Sequence, residues 1–236
     1  MTSENEYMLR RSWKRRPIHE TTTATCFCSV LRTHSTSGGF WTSWFPFSLP
    51  QVWPFCWWVA VTVDHFSRKV MGFALFKQQP TGEQVRRFLG QAMRVHRARP
   101  RHLICDRGTQ FDTDDFRRWA RYRKIRVRYG AVGKYGSIAM IERFMRSMKS
   151  EWTRLILLPL NLRSMRFELG LYITWYNEHR PHQSLSGMTP MEVYSGADPP
   201  SRTFRLPNSR LPNMELSVEH YHGRLPLPIV SLRQAA

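Results

Sequence analysis

Thirty-five residues separate Asp106 from Glu142, and each stands where a carboxylate could do metal chemistry. Asp106 follows the short apolar run His102-Leu103-Ile104-Cys105 and precedes Gly108 in DRGTQF. Glu142 lies in GSIAMIERFMRSMKSEW, whose apolar spacing predicts an amphipathic helix. A carboxylate at the end of a buried strand and another on a nearby helix can hold divalent ions against phosphate oxygens. Taken alone, Glu142 fits equally an ordinary i,i+4 pair with Arg146 on a solvated face. The Asp106 context and the Gly-rich GAVGKYGS before Glu142, a candidate flap or a plain turn, favour the metal reading.

The helix that must present Glu142 can be worked out from spacing. Ile141, Met145, Met148, Trp152 and Leu155 form one stripe, expected to be core. Glu142, Arg146 and Lys149 form a second stripe about 100° around the helix. That places Glu142 at the rim of the core, with two cations beside it. Arg143, Arg146 and Lys149 on this helix, Lys134 in the Gly-rich segment and Arg107 next to Asp106 are the candidate DNA-phosphate contacts.

The composition points the same way. Lys and Arg number 36 against 17 Asp and Glu, for a net charge of +19 and a pI near 10.8. Such a balance implies a polyanionic partner, most commonly nucleic acid. Four cysteines make no disulfide framework and fit a reduced, cytoplasmic setting. His19, Cys26 and Cys28, or His179 and His182, do not complete a zinc set with the usual spacing. Residues 1–19 are polar and basic, unlike a signal peptide. From Thr33 to Val63 there is no charged residue, but Pro46, Pro50 and Pro54 argue against a membrane helix. A loop followed by a buried strand is expected there, with no membrane partner.

The positioning elements alternate. Residues 56–63 and 69–76 read as adjacent strands joined by DHFSR. Thr81 and Gln84 make a capping box for a helix carrying Val85, Phe88, Leu89, Ala92, Met93 and His96, which Pro100 stops. Residues 102–105 form a strand. A helix begins at Thr113-Asp114-Asp115 and buries Phe116, Trp119 and Ala120, and 125–129 alternates like an edge strand. The order β-β-α-β-α-β-α is an α/β layout with one sheet. Residues 21–50 have no clear period, 198–213 read as a linker, and RLPLPIVSL as one short strand.

LICDRGTQF, the 35-residue gap, GSIAMIERFMRSMKSE, WYNEHRPHQSLSGMTPMEVY and VDHFSRKVMGFAL together resemble the catalytic core of bacterial insertion-sequence transposases, in the retroviral integrase superfamily. The resemblance covers about residues 40–196. It implies a ribonuclease-H-like mixed sheet flanked by helices, and an Asp-Asp-Glu triad holding two Mg²⁺ or Mn²⁺. It implies nicking at transposon ends and strand transfer to target DNA by a homo-oligomer, nucleoid-associated when bound. Asp106 maps to the second acid, Glu142 to the third and Lys149 to a basic position expected to touch DNA. Arg180, Pro181 and His182 read as packing and turn elements. On this view 1–40 is a basic, poorly defined segment, 41–196 the integrase-type core and 197–236 a Pro/Arg-rich tail.

One part of the pattern is missing. The family's first Asp, on the first strand in a Trp-x-x-Asp-x-Thr context, has no counterpart, since no Asp or Glu lies between Glu20 and Asp64. Asp64 is a weak replacement candidate, its ordinary role being an Asx-type turn cap. A frameshifted or decayed stretch at 21–36 would account for the gap, and the N-terminal helix-turn-helix module of a full transposase is not seen. Two readings follow: a DDE-type polynucleotidyl transferase core with most of its catalysis lost, or a non-catalytic DNA-binding transposase remnant.

Overall fold

The computed structural model describes residues 23–32, 56–105, 108, 110–129, 139–153, 155–156, 159–197 and 214–234. Five strands make one sheet: β1 (Thr23–Arg32), β2 (Cys56–Asp64), β3 (Val70–Phe76), β4 (His102–Cys105) and β5 (Arg126–Tyr129), in the order β3-β2-β1-β4-β5. β2 runs antiparallel to β1 and β3, whereas β1, β4 and β5 are parallel. The two expected strands at 56–63 and 69–76 are present as β2 and β3. β1 falls in the stretch whose sequence shows no period, and occupies the centre of the sheet.

Successive residues of a strand point to opposite faces. Val59, Val61, Val63 and Ile104 pack into one core, and Ala60, Leu103 and Cys105 into the other. Both faces are therefore apolar, which is why β2 reads as a continuous hydrophobic run rather than an alternating one. β5 alternates exposed and half-buried residues, as an edge strand should.

One face carries α1 (Gly82–His96) and α2 (Asp114–Tyr122). Thr81 and Gln84 exchange both capping-box bonds, a device worth about 1 kcal/mol. α1 ends before Pro100, at Arg97, whose left-handed backbone (φ 48°) lets its N–H reach the carbonyls of Met93 and Arg94. Val85, Phe88, Leu89, Phe116 and Ala120 are buried over Leu103 and Cys105. α1 lies close to β3: a Cβ on Gly72 would stand 3.3 Å from that of Ala92.

The other face carries α3 (Ala139–Met148), which continues as a π-turn over Lys149–Thr153, and α4 (Leu162–Glu178). α5 (Pro190–Tyr194) follows a Thr189–Glu192 capping box. Ile141, Met145, Met148 and Trp152 are buried as their spacing predicts, joined by Phe144. Leu155 is a correction: it is 61% exposed. The helical period ends with the π-turn at Thr153, so Leu155 falls in a turn beyond the last residue that the stripe can aim inward.

β6 (Met214–His220) and β7 (Pro228–Gln234) form an antiparallel hairpin within the C-terminal stretch where one short strand was expected. Leu227 is buried in the α3–α4 core, and the Trp175 indole Nε1 donates to the Pro228 carbonyl at 2.8 Å. Residues 198–213, read as a linker, lie outside the described residues. Among the described residues no helix is long and apolar enough to cross a membrane.

Candidate active site

β4 carries the buried Leu103, Ile104 and Cys105 to the threshold of position 106. Asp106 and Arg107, like Lys134, lie outside the described residues. The turn just past them is firmly built. The Gly108 carbonyl accepts the N–H groups of Phe111 (2.9 Å) and Asp112 (3.2 Å). The buried Gln110 side chain lies over Gly108, and the Tyr129 hydroxyl donates to the Phe111 carbonyl at 2.9 Å, tying the turn to the edge strand. Nothing in the sequence marks Gln110, one of two adjacent polar residues, Thr109 and Gln110, between Gly108 and Phe111.

Glu142 stands in the first turn of α3 and is exposed, with Arg143, Arg146 and Lys149 exposed around it. It was expected at the rim of the core. Phe144 widens the inward arc of α3 on the side away from Glu142, which centres that arc between Ile141 and Met148 and turns the carboxylate fully to solvent. The result is one carboxylate among three cations on an open helix face, a surface suited to phosphate groups.

Asp64 closes β2 and is buried. Its Oδ2 accepts the Ser67 N–H at 2.8 Å and the Ser67 hydroxyl at 2.7 Å, so the carboxylate caps the β2–β3 turn. Asp64 pairs with Ala24, and Ala24 with Leu103. Two strand spacings and two residues along the strand separate it from Cys105, about 12 Å. Asp64 thus lies at the level of Leu103 across the sheet, two residues short of the C-terminal end of β4. Nearby, Lys69 is buried with its Nζ 3.9 Å from the centre of the Tyr194 ring. Burial pulls its pKa down to about 8 against the opposing charges of Glu178 and Asp64.

β1 is the strand beside β4, in parallel register Thr23–His102, Ala24–Leu103 and Thr25–Ile104. No Asp or Glu occurs anywhere in Thr23–Arg32. Among the described residues no three His, Cys, Asp or Glu side chains gather as a metal cluster. β1 itself supplies no acid to a two-ion centre.

Two contacts hold the surrounding scaffold. Asn177 on α4 accepts the Val70 N–H at 2.9 Å and donates to the Val70 carbonyl at 3.1 Å, clamping the helix to β3. Arg180 donates to both carboxylate oxygens of Glu151, joining the end of α4 to the π-turn after α3. His182 packs edge-on against Tyr176, and His179 lies at a tilt against Tyr221. Arg180 and His182 are thus packing elements here, as the sequence suggested.

Comparison with known proteins gives these features a family. Two models of the integrase core domain match, one over residues 44–134 and the other over 123–190. An uncharacterized protein of insertion element IS136 from Agrobacterium fabrum is 27% identical over 140 residues, which is 57% of this chain and 71% of that protein. A counterpart in the IS136 element of Agrobacterium tumefaciens matches equally. Among solved structures, a chain of the simian T-cell lymphotropic virus intasome in complex with PP2A regulatory subunit B56 gamma superposes with a TM-score of 0.55 at 16% identity, over 91% of this chain and 67% of that one. The HTLV-2 integrase catalytic core, solved with magnesium in a dimeric form, gives 0.50 at 16% identity over 76% of this chain and 99% of its own. At such identities the likeness concerns the fold, which is the ribonuclease-H-like mixed sheet. Together the two matches run without a break over residues 44–190, more than half of the chain, and by them this chain belongs to the integrase core domain family.

Proposed function

We propose that the chain is a transposase-type core that binds transposon ends and target DNA, and that its nicking and strand-transfer chemistry is largely lost. Asp106 and Glu142 are the two carboxylates that remain for Mg²⁺ or Mn²⁺. Arg107, Lys134, Arg143, Arg146 and Lys149 are the phosphate contacts around them. Asp64 is assigned no metal in this reading, because its Oδ2 caps the β2–β3 turn through Ser67.

The observation that carries this reading is the absence of any carboxylate from β1, the strand lying directly beside β4. Removing a metal ligand is more damaging than removing one of its hydrogen-bond partners, which already lowers affinity or activity roughly 10–100-fold. DNA binding does not depend on that ligand, because the cations on α3 are unaffected. The dimeric form of the HTLV-2 core and the viral intasome support assembly of this chain as a multimer on DNA.

The test has two arms. Duplex binding in EDTA is expected to persist and to weaken steeply with salt. Strand transfer in Mn²⁺ is expected to be more than a hundredfold below that of a core with all three acids. Efficient strand transfer that disappears in Glu142→Gln would sink the proposal and restore the chain to the active transferases.

A further inference from the structure

On the side of the sheet opposite α3, helices α1 and α2 enclose a groove of about 290 Å³ that the candidate active site does not use. Four guanidinium groups line it, those of Arg86, Arg87, Arg94 and Arg123, against the single carboxylate of Glu83. Arg87 is paired with Glu83 at 3.0 Å, and Arg86 reaches Asp115 only at 3.8 Å. Neither Arg94 nor Arg123 has an ion pair among the described residues. Arg123 is held in place: its guanidinium stands over the Trp119 ring at 5.2 Å, and its Nη2 lies where a Cβ on Gly90 would meet it at 3.7 Å. Its buried Nε finds no acceptor among the described residues.

Guanidinium groups crowded together with one carboxylate among them repel one another, and an anion seated between them relieves that repulsion. The planar donors of arginine match phosphate oxygens, and clustered arginines are the usual means of gripping them. The Trp119 ring is already engaged by Phe116 at 5.5 Å and by Arg123, so the groove offers guanidinium donors rather than a free platform for a base. Its volume is at the bottom of the range for small-molecule pockets, about 300–1,000 Å³.

We propose that this groove is a second DNA-backbone site, gripping phosphodiesters of a duplex segment other than the one at Asp106 and Glu142. It takes its ligand from the DNA reading above, and its test involves no catalysis.

The full chain with Arg143→Ala, Arg146→Ala and Lys149→Ala, in EDTA, isolates the groove from the α3 face. Residual binding of a short random-sequence duplex is expected, with a salt slope that falls by about two when Arg94→Ala and Arg123→Ala are added. Affinity should drop at least tenfold with them. Arg94→Ala alone, at an exposed position without an intramolecular ion pair, should lower the slope by about one and serves if Arg123→Ala loosens the α1–α2 packing. No residual binding in the α3-neutralised chain, or residual binding that the groove substitutions leave unchanged, overturns the proposal. Absence of strand transfer together with intact groove binding bears only on the catalytic reading.

Discussion

Arg180 and Glu151 meet in a two-pronged ion pair, Nε to Oε2 at 2.8 Å and Nη2 to Oε1 at 2.5 Å, partly shielded from solvent. The pair joins the residue just past the α4 cap to the π-turn that closes α3, so the helix carrying Glu142 is fixed from its far end. Its geometry uses the planar fork of arginine, which lysine does not supply. Arg180→Ala should destabilise the fold by about 2 kcal/mol, and Arg180→Lys should recover less than half of that. Denaturant unfolding of the two variants against the parent measures both.

Asn177 satisfies both backbone groups of Val70, which is buried on β3. Asn177→Ala leaves an N–H and a carbonyl without partners in the core, at a cost of about 2–4 kcal/mol. The Val70 amide should lose protection in hydrogen exchange before the rest of β3. Uniform loss across the strand would show instead that the clamp is not local.

Burial and the charge of Lys69 lower the His96 pKa to about 4, against the bond to the Met71 carbonyl. The unfolded imidazole titrates near 6.5, so it takes up a proton first as pH falls. Stability contributed by neutral His96 is therefore complete above pH 6.5 and is lost progressively down to about pH 4. His182, pulled to about 4 by burial and by Arg180 and Arg68, acts in the same direction. Between pH 6.5 and 5, His96 alone should remove roughly 1–2 kcal/mol. His96→Gln keeps a donor for Met71 and should flatten that decline in unfolding free energy.

The π-turn divides α3's apolar stripe. Trp152→Ala should cost about 3–5 kcal/mol, since the indole is 1% exposed against Tyr172. Leu155→Ser, one turn later on the same sequence spacing, should change stability by less than about 0.5 kcal/mol. Equal effects would mean that the stripe continues inward past Thr153.

β1 runs on past Thr25, the last residue paired with β4, through Cys26, Phe27 and Cys28. A scan of Cys26→Asp, Phe27→Asp and Cys28→Asp brackets the place where the missing carboxylate belongs. One of the three should raise Mn²⁺-dependent strand transfer at least tenfold over the parent, and Glu142→Gln should abolish the gain. If none does, the loss involves more of β1 than one side chain.

Much of this protein was legible before any coordinates. β2 and β3 announce themselves as unbroken apolar runs because both faces of the sheet are covered, and α1 and α2 by their capping threonines and their period. The missing acid before Asp64 is a fact of sequence alone. Tertiary structure decided the rest. β1 has no readable period, and its place at the centre of the sheet follows from pairing with β2 and β4, which are distant in sequence. Glu142 was expected at the core's rim, yet the exposure of a helical residue depends on the whole arc its neighbours bury, and Phe144 shifted that arc. Asp64 reads in sequence as a turn cap or a weak ligand candidate, and in the fold its Oδ2 holds Ser67 at the β2–β3 turn. Local chemistry determined which elements form. Only long-range pairing determined where in the sheet those elements lie.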